Sequence, residues 1–499
     1  MSETGSVDLL VIGGGINGAG IARDAAGRGL SVLLVERGDL AGATSSASSK
    51  LVHGGLRYLE HYEFRLVREA LAEREVMLRI APHIVRPMRF VLPHRPEMRP
   101  RWMIRAGLFL YDHLARRVSL PAAETLDFRR HAAGGPLKPE IATGFAYSDC
   151  WVDDARLVAL NAKDAARRGA RIAVGCEFLD ARREAGGWTA RLADAAGERR
   201  VQARALVNAA GPWVMAAQEG ARVNAPGKVR LIRGSHIVLP ALHDGDQAYI
   251  LQNDDGRVVF VIPYEGRFSL VGTTDMPHEG DARGARCTEA EARYLCDAVS
   301  RQFRRPVTPA DAVWSYAGVR PLFDDGSADP SALTRDYVLR LDAEGPPLLT
   351  VFGGKITTYR RLAEEALERL SGPLGLADRP WTATAPLPGG DFGGRDAAGF
   401  IADAGRRHPW LPAPLLRRLC RAYGSEIDAL LHGAGAMADL GQDYGEGLTE
   451  RELDWLAREE WARSGEDVLW RRTKLGLHLD AAQREAVAAA MRRIAAGQG

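Results

Sequence analysis

The chain has 499 residues, of which 46% are hydrophobic and 26% charged, and its formal net charge is +2. This length exceeds the roughly 250–300 residues that one hydrophobic core usually serves, so we expect at least two domains. The ordinary apolar fraction excludes disorder over the whole chain, and the near-neutral charge argues against a dedicated nucleic-acid-binding protein. The five cysteines form no CxxC pair, which favours a reducing compartment and disfavours a zinc site.

The amino-terminal residues show no secretion signal. No basic residue precedes the first apolar run, residues 9–12, and that run breaks into glycine, unlike a signal peptide. No stretch approaches about 18 consecutive apolar residues. We therefore expect no membrane-spanning helix, which leaves binding to a membrane surface open.

Residues 7–36 are predicted to form a βαβ unit. Residues 7–12 make a short apolar strand, residues 16–28 an alanine-rich helix, and residues 31–35 the second strand. Gly29 follows the helix and ends it.

The turn of this unit carries the spacing G-x-G-x-x-G in Gly13-Gly14-Gly15-Ile16-Asn17-Gly18, and Glu36 ends the second strand. The first glycine makes a tight turn, the second admits a pyrophosphate close to the backbone, and the third lets the helix pack on the strand. The helix N-terminus then faces the phosphates, and Glu36 is expected to bind the adenosine ribose. A merely structural glycine turn is the alternative. A second match at residues 433–438 follows no strand and is interpreted as coincidental.

Beyond this unit we predict alternating helical and β segments. The spacing of Leu66, Ala70 and Arg74 indicates a helix, whereas residues 82–100, rich in proline and arginine, are interpreted as irregular. The later segments are a mostly β region (170–345, with runs at 234–239, 248–252, 258–263 and 268–273), a strand (348–352), a helix (357–370), a Pro/Gly-rich linker (373–394) and a helical end that includes 452–462.

Three segments favour FAD over NAD as the dinucleotide. Residues 43–50 cluster hydroxyl groups and one cation, which suits a longer polar cofactor, although a flexible serine linker is the alternative. Residues 207–213 are predicted to end a strand in a turn of small residues. Residues 352–358 open a helix whose dipole would stabilise negative charge on a reduced flavin. The chain has no CxxxxC disulfide motif and no second fingerprint, which disfavours a pyridine-nucleotide disulfide reductase.

Several long blocks resemble the FAD-dependent glycerol-3-phosphate dehydrogenases, within the D-amino-acid-oxidase-like flavoenzymes. The blocks, in chain order, are VIGGGINGAGIARDAAGRG (11–29), ATSSASSKLVHGGLRYLE (43–60), YSDCWVDDARLV (147–158), IRGSHIV (232–238), GTTD (272–275), GVRPL (318–322), TRDY (334–337), FGGKITTYR (352–360) and REEWARSGEDVLWRRTKLGL (458–477). The resemblance spans nearly the whole chain.

The resemblance implies an α/β fold: a Rossmann-like FAD-binding domain, an interleaved antiparallel β substrate domain and an α-helical C-terminal domain. The expected domains are FAD-binding (1–80, 150–225, 340–375), substrate-binding (81–149, 226–339) and helical (390–499). The implied reaction is oxidation of sn-glycerol 3-phosphate to dihydroxyacetone phosphate, with electrons passed to quinone. The respiratory members lie on the cytoplasmic face of the cell membrane, and a homodimer is expected.

The fingerprint, the three segments and the resemblance together predict the cofactor-binding residues Gly13, Gly15, Asn17, Gly18, Glu36, Thr44, Ser45, Ser49, Lys50, Leu51, His53, Gly54, Ala210, Gly211, Gly354, Lys355 and Thr357. No metal ligand is predicted.

A flavin-linked alcohol oxidation needs a base for the hydroxyl proton and cations for the phosphate. Guanidinium groups suit a phosphate dianion, because they bind it through two parallel hydrogen bonds. We predict His236, Arg57 and Arg320 as catalytic, and Arg57, Tyr58, Arg320, Arg335 and Lys355 as substrate-binding. His236 is the expected base because an unperturbed imidazole titrates near the working pH.

Structural alternatives stand beside these roles. Arg320 would pair with Asp324 or Asp325, and Arg335 with Asp336. Arg57 would pair with Glu60. Lys355 would be an exposed helix-end lysine, and His236 a satisfied core residue.

Residues 86–117 contain eight arginines against one glutamate and one aspartate. At helical spacing Arg101, Arg105 and Arg116 share one stripe with Asp112, and apolar residues such as Trp102 occupy the remaining surface. A basic, aromatic-bearing helix suits an anionic lipid surface. A buried helix with one wet edge is the alternative.

Three rival functions remain open: an oxidase that uses oxygen with the same substrate, a flavoenzyme that oxidises amines or amino acids, and a non-catalytic flavoprotein.

Overall fold

The computed structural model describes residues 5–56, 59, 63–115, 118, 120–223, 227–324, 336–377 and 379–497. Two β-sheets and a helical carboxyl-terminal region account for the architecture of these residues.

The strands of the described residues are β1 (Ser6–Ile12), β2 (Val32–Glu36), β3 (Leu51–Val52), β4 (Val85–His94), β5 (Glu124–Asp127), β6 (Thr143–Val152), β7 (Arg171–Val174), β8 (Glu177–Glu184), β9 (Gly187–Asp194), β10 (Gly197–Asn208), β11 (Val229–Pro240), β12 (Ala248–Gln252), β13 (Val258–Tyr264), β14 (Phe268–Gly272), β15 (Met276–Pro277), β16 (Trp314–Phe323), β17 (Val338–Asp342) and β18 (Leu348–Phe352). The helices are α1 (Ile16–Gly27), α2 (Phe64–Ile80), α3 (Arg101–His113), α4 (Asp154–Arg167), α5 (Val214–Gly220), α6 (Glu289–Gln302), α7 (Tyr359–Leu374), α8 (Ala397–Arg407), α9 (Ala413–Tyr423), α10 (Ile427–Leu430), α11 (Glu450–Glu460) and α12 (Ala481–Gly497).

The first sheet has the strand order β17-β18-β10-β1-β2-β7, and β8 and β9 extend it from β10. Strand β1 runs parallel to β2 and β10, and β10 runs parallel to β18. Such strands are covered on both faces, which explains the continuous apolar run of β1. Ile21 of α1, Leu160 of α4 and Leu367 of α7 share one buried core with Leu9. The predicted Rossmann-like βαβ unit is confirmed.

The second sheet has the order β15-β11-β14-β13-β12-β4-β6-β3, with β16 on β11 and β5 on β6. Its pairs are antiparallel, except that β4 and β12 are parallel at Phe90 and Val91. The prediction that residues 82–100 are irregular is therefore wrong over β4. Pro87 and Pro93 lie outside the short pairing with β12, so their missing N–H groups remove no bond on that side.

The carboxyl-terminal helices α8 to α12 enclose a separate core, which includes Phe400, Leu419, Leu453 and Val487. The predicted helical end is confirmed, and the 433–438 glycines lie in this region without a preceding strand. The residue boundaries of the three domains stay a prediction.

Candidate active site

A cavity of about 1880 Å³ lies where the two sheets meet. From the first sheet it is lined by residues that follow the carboxyl ends of β1, β2, β10 and β18. From the second sheet it is lined by β11 and β16, including His236 and Arg320. Ligands of open α/β sheets bind outside the carboxyl ends of the strands, so this cavity is the candidate active site.

The turn between β1 and α1 forms part of the cavity wall and is built for close backbone approach. Gly13 has φ +109°, a left-handed value that favours glycine. A Cβ on Gly18 would lie 1.9 Å from the carbonyl oxygen of Gly13, so only glycine lets α1 pack here. A Cβ on Gly15 would meet Ser45 Oγ at 3.1 Å. The backbone N–H of Ile16 donates to the same Ser45 Oγ at 3.0 Å, which fixes the start of the helix.

Glu36 closes this turn from the end of β2. Its carboxylate accepts the N–H of Gly14 at 2.7 Å and the N–H of Gly38 at 2.8 Å. Burial raises the pKa of the Glu36 carboxyl, and the two backbone hydrogen bonds oppose that shift. Because a carboxylate has about four acceptor positions, two donors leave room for ribose hydroxyls.

The loop of residues 43–50 is fixed to the protein by its own side chains. Thr44 Oγ1 donates to the carbonyl of Val319 at 2.6 Å, and Ser48 Oγ donates to Asp154 at 2.7 Å. The alternative of a flexible serine linker is therefore wrong. Lys50 is 2% exposed, and its ammonium group contacts Asp154 at 2.8 Å. Its side chain serves an internal ion pair, and the residue does not line the cavity; its predicted cofactor contact stays a prediction.

Most other predicted cofactor residues line this one cavity, namely Gly13, Gly15, Asn17, Glu36, Thr44, Ser45, Ser49, Leu51, His53, Ala210, Gly211, Gly354, Lys355 and Thr357. Gly18 and Gly54 do not line it. Gly18 acts through packing, and the Gly54 N–H donates to the Tyr111 hydroxyl at 2.9 Å.

Asn17 shows that the wall fits a bound group. Its Nδ2 donates to the carbonyl of Gly353 at 3.1 Å, whereas its buried Oδ1 has no hydrogen-bond partner among the described residues. A Cβ on Gly354 would lie 2.6 Å from Asn17 Nδ2. A bare glycine backbone and an unsatisfied acceptor beside the fingerprint turn fit a long polar dinucleotide.

The segment after β18 begins its helix differently from the prediction. Residues Ile356–Thr358 form a single 3₁₀ turn, and α7 starts at Tyr359. Lys355 precedes this turn and lines the cavity.

His236 lies on β11, lines the cavity and is 2% exposed. Its Nε2 is 2.9 Å from Ser49 Oγ, and its ring stacks on Tyr316 with centroids 4.8 Å apart. Burial lowers the pKa of His236 well below 6.5, and the nearby charges of Arg320 and Lys50 lower it further. The expectation that His236 titrates near neutral pH is therefore wrong, and the imidazole is neutral at neutral pH.

Arg320 lies on β16, which pairs directly with the histidine's strand β11, and it contacts the segment that follows β14. It forms an ion pair with Asp275, and its Nη2 donates to Thr273 Oγ1 at 3.1 Å. Thr273 follows Gly272, which pairs with His236 across the sheet. Of its two alternative partners, Asp324 forms an ion pair with Arg230 at 3.0 Å, and Asp325 lies outside the described residues. The geometry thus brings one cation and one neutral imidazole to the same part of the cavity.

Arg57, Tyr58 and Arg335 lie outside the described residues, and their roles stay predictions. So does the alternative pairing of Arg57 with Glu60. Asp336, the alternative partner of Arg335, accepts a hydrogen bond from Arg65 at 2.7 Å.

Some cavity residues were missed by sequence reasoning. Residues 176–180 line the cavity after β7, and Gly175 between them has φ +69°. The guanidinium of Arg37 lies over the ring of Trp213 at 4.0 Å. For residues 176–180 the sequence signal was a short strand followed by glycine. That β7 lies next to β2 in the parallel sheet depends on tertiary pairing, which the sequence pattern does not show.

Helix α3 is mostly exposed, so the alternative of a buried helix with one wet edge is wrong. Leu108 and Tyr111 are its buried residues. Trp102 is 70% exposed and Phe109 62%. These two, with Met103 and Leu110, form an exposed apolar face, the α3 face. Met103 and Leu110 also line the cavity.

Several arginines of residues 86–117 are engaged within the protein. Of the predicted stripe, Arg105 donates to the carbonyl of Ala123 at 2.9 Å. Arg86 lies over Trp151, and burial lowers the pKa of its guanidinium. Arg89 and Arg95 form ion pairs with Glu124 and Asp254. Arg116 and Arg117 lie outside the described residues. No helix among the described residues is both long and apolar enough to cross a membrane.

Comparison with known proteins assigns the fold and its cofactor. Residues 8–360 match the family described as FAD dependent oxidoreductase, and residues 380–498 match the C-terminal domain of alpha-glycerophosphate oxidase. The chain belongs to the FAD-dependent oxidoreductase family. FAD is therefore the dinucleotide that the fingerprint turn serves.

Relatives of this family member carry two substrate names. A glycerol-3-phosphate dehydrogenase of Pseudomonas aeruginosa is 55% identical over 95% of this chain and 93% of its own length. A D-erythritol 1-phosphate dehydrogenase of Brucella abortus is 51% identical over 97% of this chain and 98% of its own. The crystal structure of glycerol-3-phosphate dehydrogenase from Bacillus halodurans with FAD superposes with a TM-score of 0.79, at 28% identity, over 99% of this chain and 90% of that one.

Gly15→Leu should remove FAD from this flavoenzyme, because the new side chain would occupy the space between the turn and Ser45. We expect less than roughly a tenth of the wild-type FAD content after purification. Flavin absorbance per protein, with circular dichroism to show the retained fold, measures this. Gly372→Leu is the control, since a Cβ there meets nothing within 4 Å. Normal FAD content in Gly15→Leu would contradict the fingerprint assignment.

Proposed function

We propose that this protein oxidises sn-glycerol 3-phosphate to dihydroxyacetone phosphate and passes the electrons to a membrane quinone. The observation that carries the proposal is the placement of Arg320 and His236 together at one cavity that also contains the fingerprint turn. Bound FAD supplies the acceptor for the hydride of the substrate carbon. D-erythritol 1-phosphate is the competing substrate, because one relative at 51% identity bears that name.

Arg320 is assigned to the substrate phosphate. Its side chain is 29% exposed, and Asp275 and Thr273 hold its guanidinium from one side. Charge-assisted hydrogen bonds from a guanidinium contribute about 1.5–3 kcal/mol each. Arg335, Arg57, Tyr58 and Lys355 are proposed to complete the substrate site.

His236 is assigned to the hydroxyl proton. Because burial keeps its pKa low, the imidazole is neutral and accepts a proton at neutral pH. Ser49 is more exposed than His236, lines the same cavity, and contacts Nε2 at 2.9 Å. A proton from the substrate is therefore proposed to reach Nε2 through Ser49 Oγ.

The quinone and membrane assignments are supported by the apolar part of the cavity. Its wall includes Ile104, Met103 and Leu110 of α3 together with Phe260 and Ile250 of the second sheet. The α3 face continues this surface to the outside. A hydrophobic acceptor would thus enter from lipid without crossing water, which favours peripheral binding at the inner face of the cell membrane. A homodimer remains part of the proposal.

Anaerobic glycerol 3-phosphate should bleach the flavin of the wild type, and Arg320→Ala should lose the preference for this substrate over glycerol. We expect kcat/KM for glycerol 3-phosphate to fall by at least roughly 30-fold, about 2 kcal/mol, with little change for glycerol. Stopped-flow absorbance with glycerol 3-phosphate, D-erythritol 1-phosphate and glycerol measures both.

Arg230→Ala, which breaks the ion pair with Asp324 away from the cavity wall, is the matched control. If the wild-type enzyme reacted faster with D-erythritol 1-phosphate, that compound and not glycerol 3-phosphate would be the substrate. Reoxidation by oxygen with peroxide release, and not by a soluble quinone, would identify an oxidase.

His236→Asn should slow flavin reduction by on the order of 100-fold while FAD stays bound, since a general base contributes about that factor or more. Ser49→Ala should change the rate in the same direction. In the wild type the pKa of His236 lies well below 6.5, so the rate should stay level above that pH and fall only as acid protonates the imidazole. The variant should lack this acid limb.

His243→Asn is the control, because His243 is half-buried and does not line the cavity. If His236→Asn reduced its flavin at the wild-type rate, His236 would be a structural core residue and not the base.

The double variant Trp102→Glu, Phe109→Glu should release the enzyme from anionic vesicles, because two charges would replace the most exposed apolar side chains of α3. Cosedimentation with phosphatidylglycerol vesicles measures the bound fraction, which we expect to fall by at least roughly tenfold. Val313→Glu changes an exposed apolar residue elsewhere (53% exposed) and should bind normally. If Val313→Glu lowered the vesicle-bound fraction equally, the α3 face would not be the docking surface.

A further inference from the structure

The helical carboxyl-terminal region reaches the cofactor cavity. Glu466 and Arg471 line it, although the other lining residues come from the chain before residue 359. Arg471 and Arg472 lie in a π-helix over Asp467–Arg472. Such helices are rare and occur frequently at functional sites.

Both arginines bind one carboxylate, that of Asp39. Arg471 Nε is 2.6 Å from Asp39 Oδ2, and Arg472 donates to both oxygens at 2.9 and 2.7 Å. The Asp39 side chain is 7% exposed and that of Arg472 0%. The three side chains therefore form a buried ionic contact between the helical region and the FAD-binding sheet.

Asp39 lies in the loop that touches the fingerprint turn and itself lines the cavity. It follows Glu36 by three residues. The N–H of Ala41 donates to the carbonyl of Gly14 at 3.0 Å, and a Cβ on Gly14 would lie 2.9 Å from Leu40 Cδ2. Ala41 has φ +59°, a value that a residue with a side chain keeps only where its surroundings impose it. The ionic contact at Asp39, two residues earlier, helps to hold the backbone of Ala41 in this conformation.

A second contact leads to the loop of residues 43–50. Lys474 forms an ion pair with Asp153, and Lys474 itself has φ +59°. The next residue, Asp154, holds Lys50 at 2.8 Å and Ser48 at 2.7 Å. The same segment of the helical region thus supports the loop that carries Ser49.

We propose that residues 466–474 are a positioning element of the FAD site, which holds the loop of residues 37–42 against the fingerprint turn and so slows release of the cofactor. The proposal depends on the FAD site and not on the substrate. Arg471, Arg472 and Lys474 act through Asp39 and Asp153, and they are positioning residues, not catalytic ones.

Asp39→Asn should speed release of FAD, because the amide keeps the size of the side chain but loses the charge that both arginines bind. We expect FAD release to be faster by on the order of tenfold. The rise of free-flavin fluorescence after dilution of the holoenzyme measures it.

Lys163→Met is the matched control. It breaks another buried contact of the helical region, with Glu426 at 2.8 Å, which lies off the cavity wall. This variant should lower the unfolding midpoint and leave FAD release unchanged. Should Asp39→Asn not fold, Arg471→Gln, at a side chain 13% exposed, should give the same faster release.

Wild-type release from the folded Asp39 or Arg471 variant, or equally fast release from Lys163→Met, would overturn the proposal and leave the contact merely structural. A wild type that holds FAD but does not oxidise glycerol 3-phosphate would instead refute the proposed function, and the release comparison would still decide the role of residues 466–474.

Discussion

The fold depends on a contact between bare backbones at the end of β1. The N–H of Gly13 donates to the carbonyl of Val35, and the N–H of Ala209 donates to the carbonyl of Ile12, both at 2.9 Å. A Cβ on Gly13 would lie 2.6 Å from the carbonyl oxygen of Ala209. Three strand ends and the start of α1 therefore converge where no side chain fits. This convergence exposes backbone N–H groups at the helix start, which is what a pyrophosphate requires.

Local patterns predicted the elements that depend on local chemistry. The apolar run of β1, the glycine spacing and the alanine-rich α1 all agree with the structure, because each is specified within about 30 residues. Strand β4 was missed because its pairing with β6 outweighs the low strand preference of Pro87 and Pro93. Tertiary context decided the outcome there.

Side-chain partners were less predictable than elements. Arg320 contacts Asp275, 45 positions earlier, and Lys50 contacts Asp154, 104 positions later. The spacing of charged residues along the chain does not predict pairs so far apart in sequence. The lowered pKa of His236 likewise follows from burial beside Arg320, which only the folded sheet supplies. The sequence pattern predicted that α3 is amphipathic, but it could not show that the apolar face is exposed to solvent.

The helical region is joined to α4, a helix that packs on the first sheet, by buried charges, and its Trp461 packs against the same core. Arg156 binds Glu460 through two hydrogen bonds, at 2.5 and 2.9 Å, with both side chains at most 1% exposed. Such pairs add little net stability, because desolvation offsets the attraction, but they penalise any misaligned arrangement. Charges at this interface thus specify one orientation of the two parts.

The parallel order of the first sheet also governs how this protein is made. Strand β1 leaves the ribosome well before its partner β10, which ends at Asn208, and before the neighbour of β10, β18, which ends at Phe352. Contacts so distant in sequence form slowly. At about 5–20 residues per second, β1 waits tens of seconds for its sheet to be completed. During that interval β1 can pair with β2, but its other edge lacks β10, and an unpaired strand edge favours aggregation of the nascent chain.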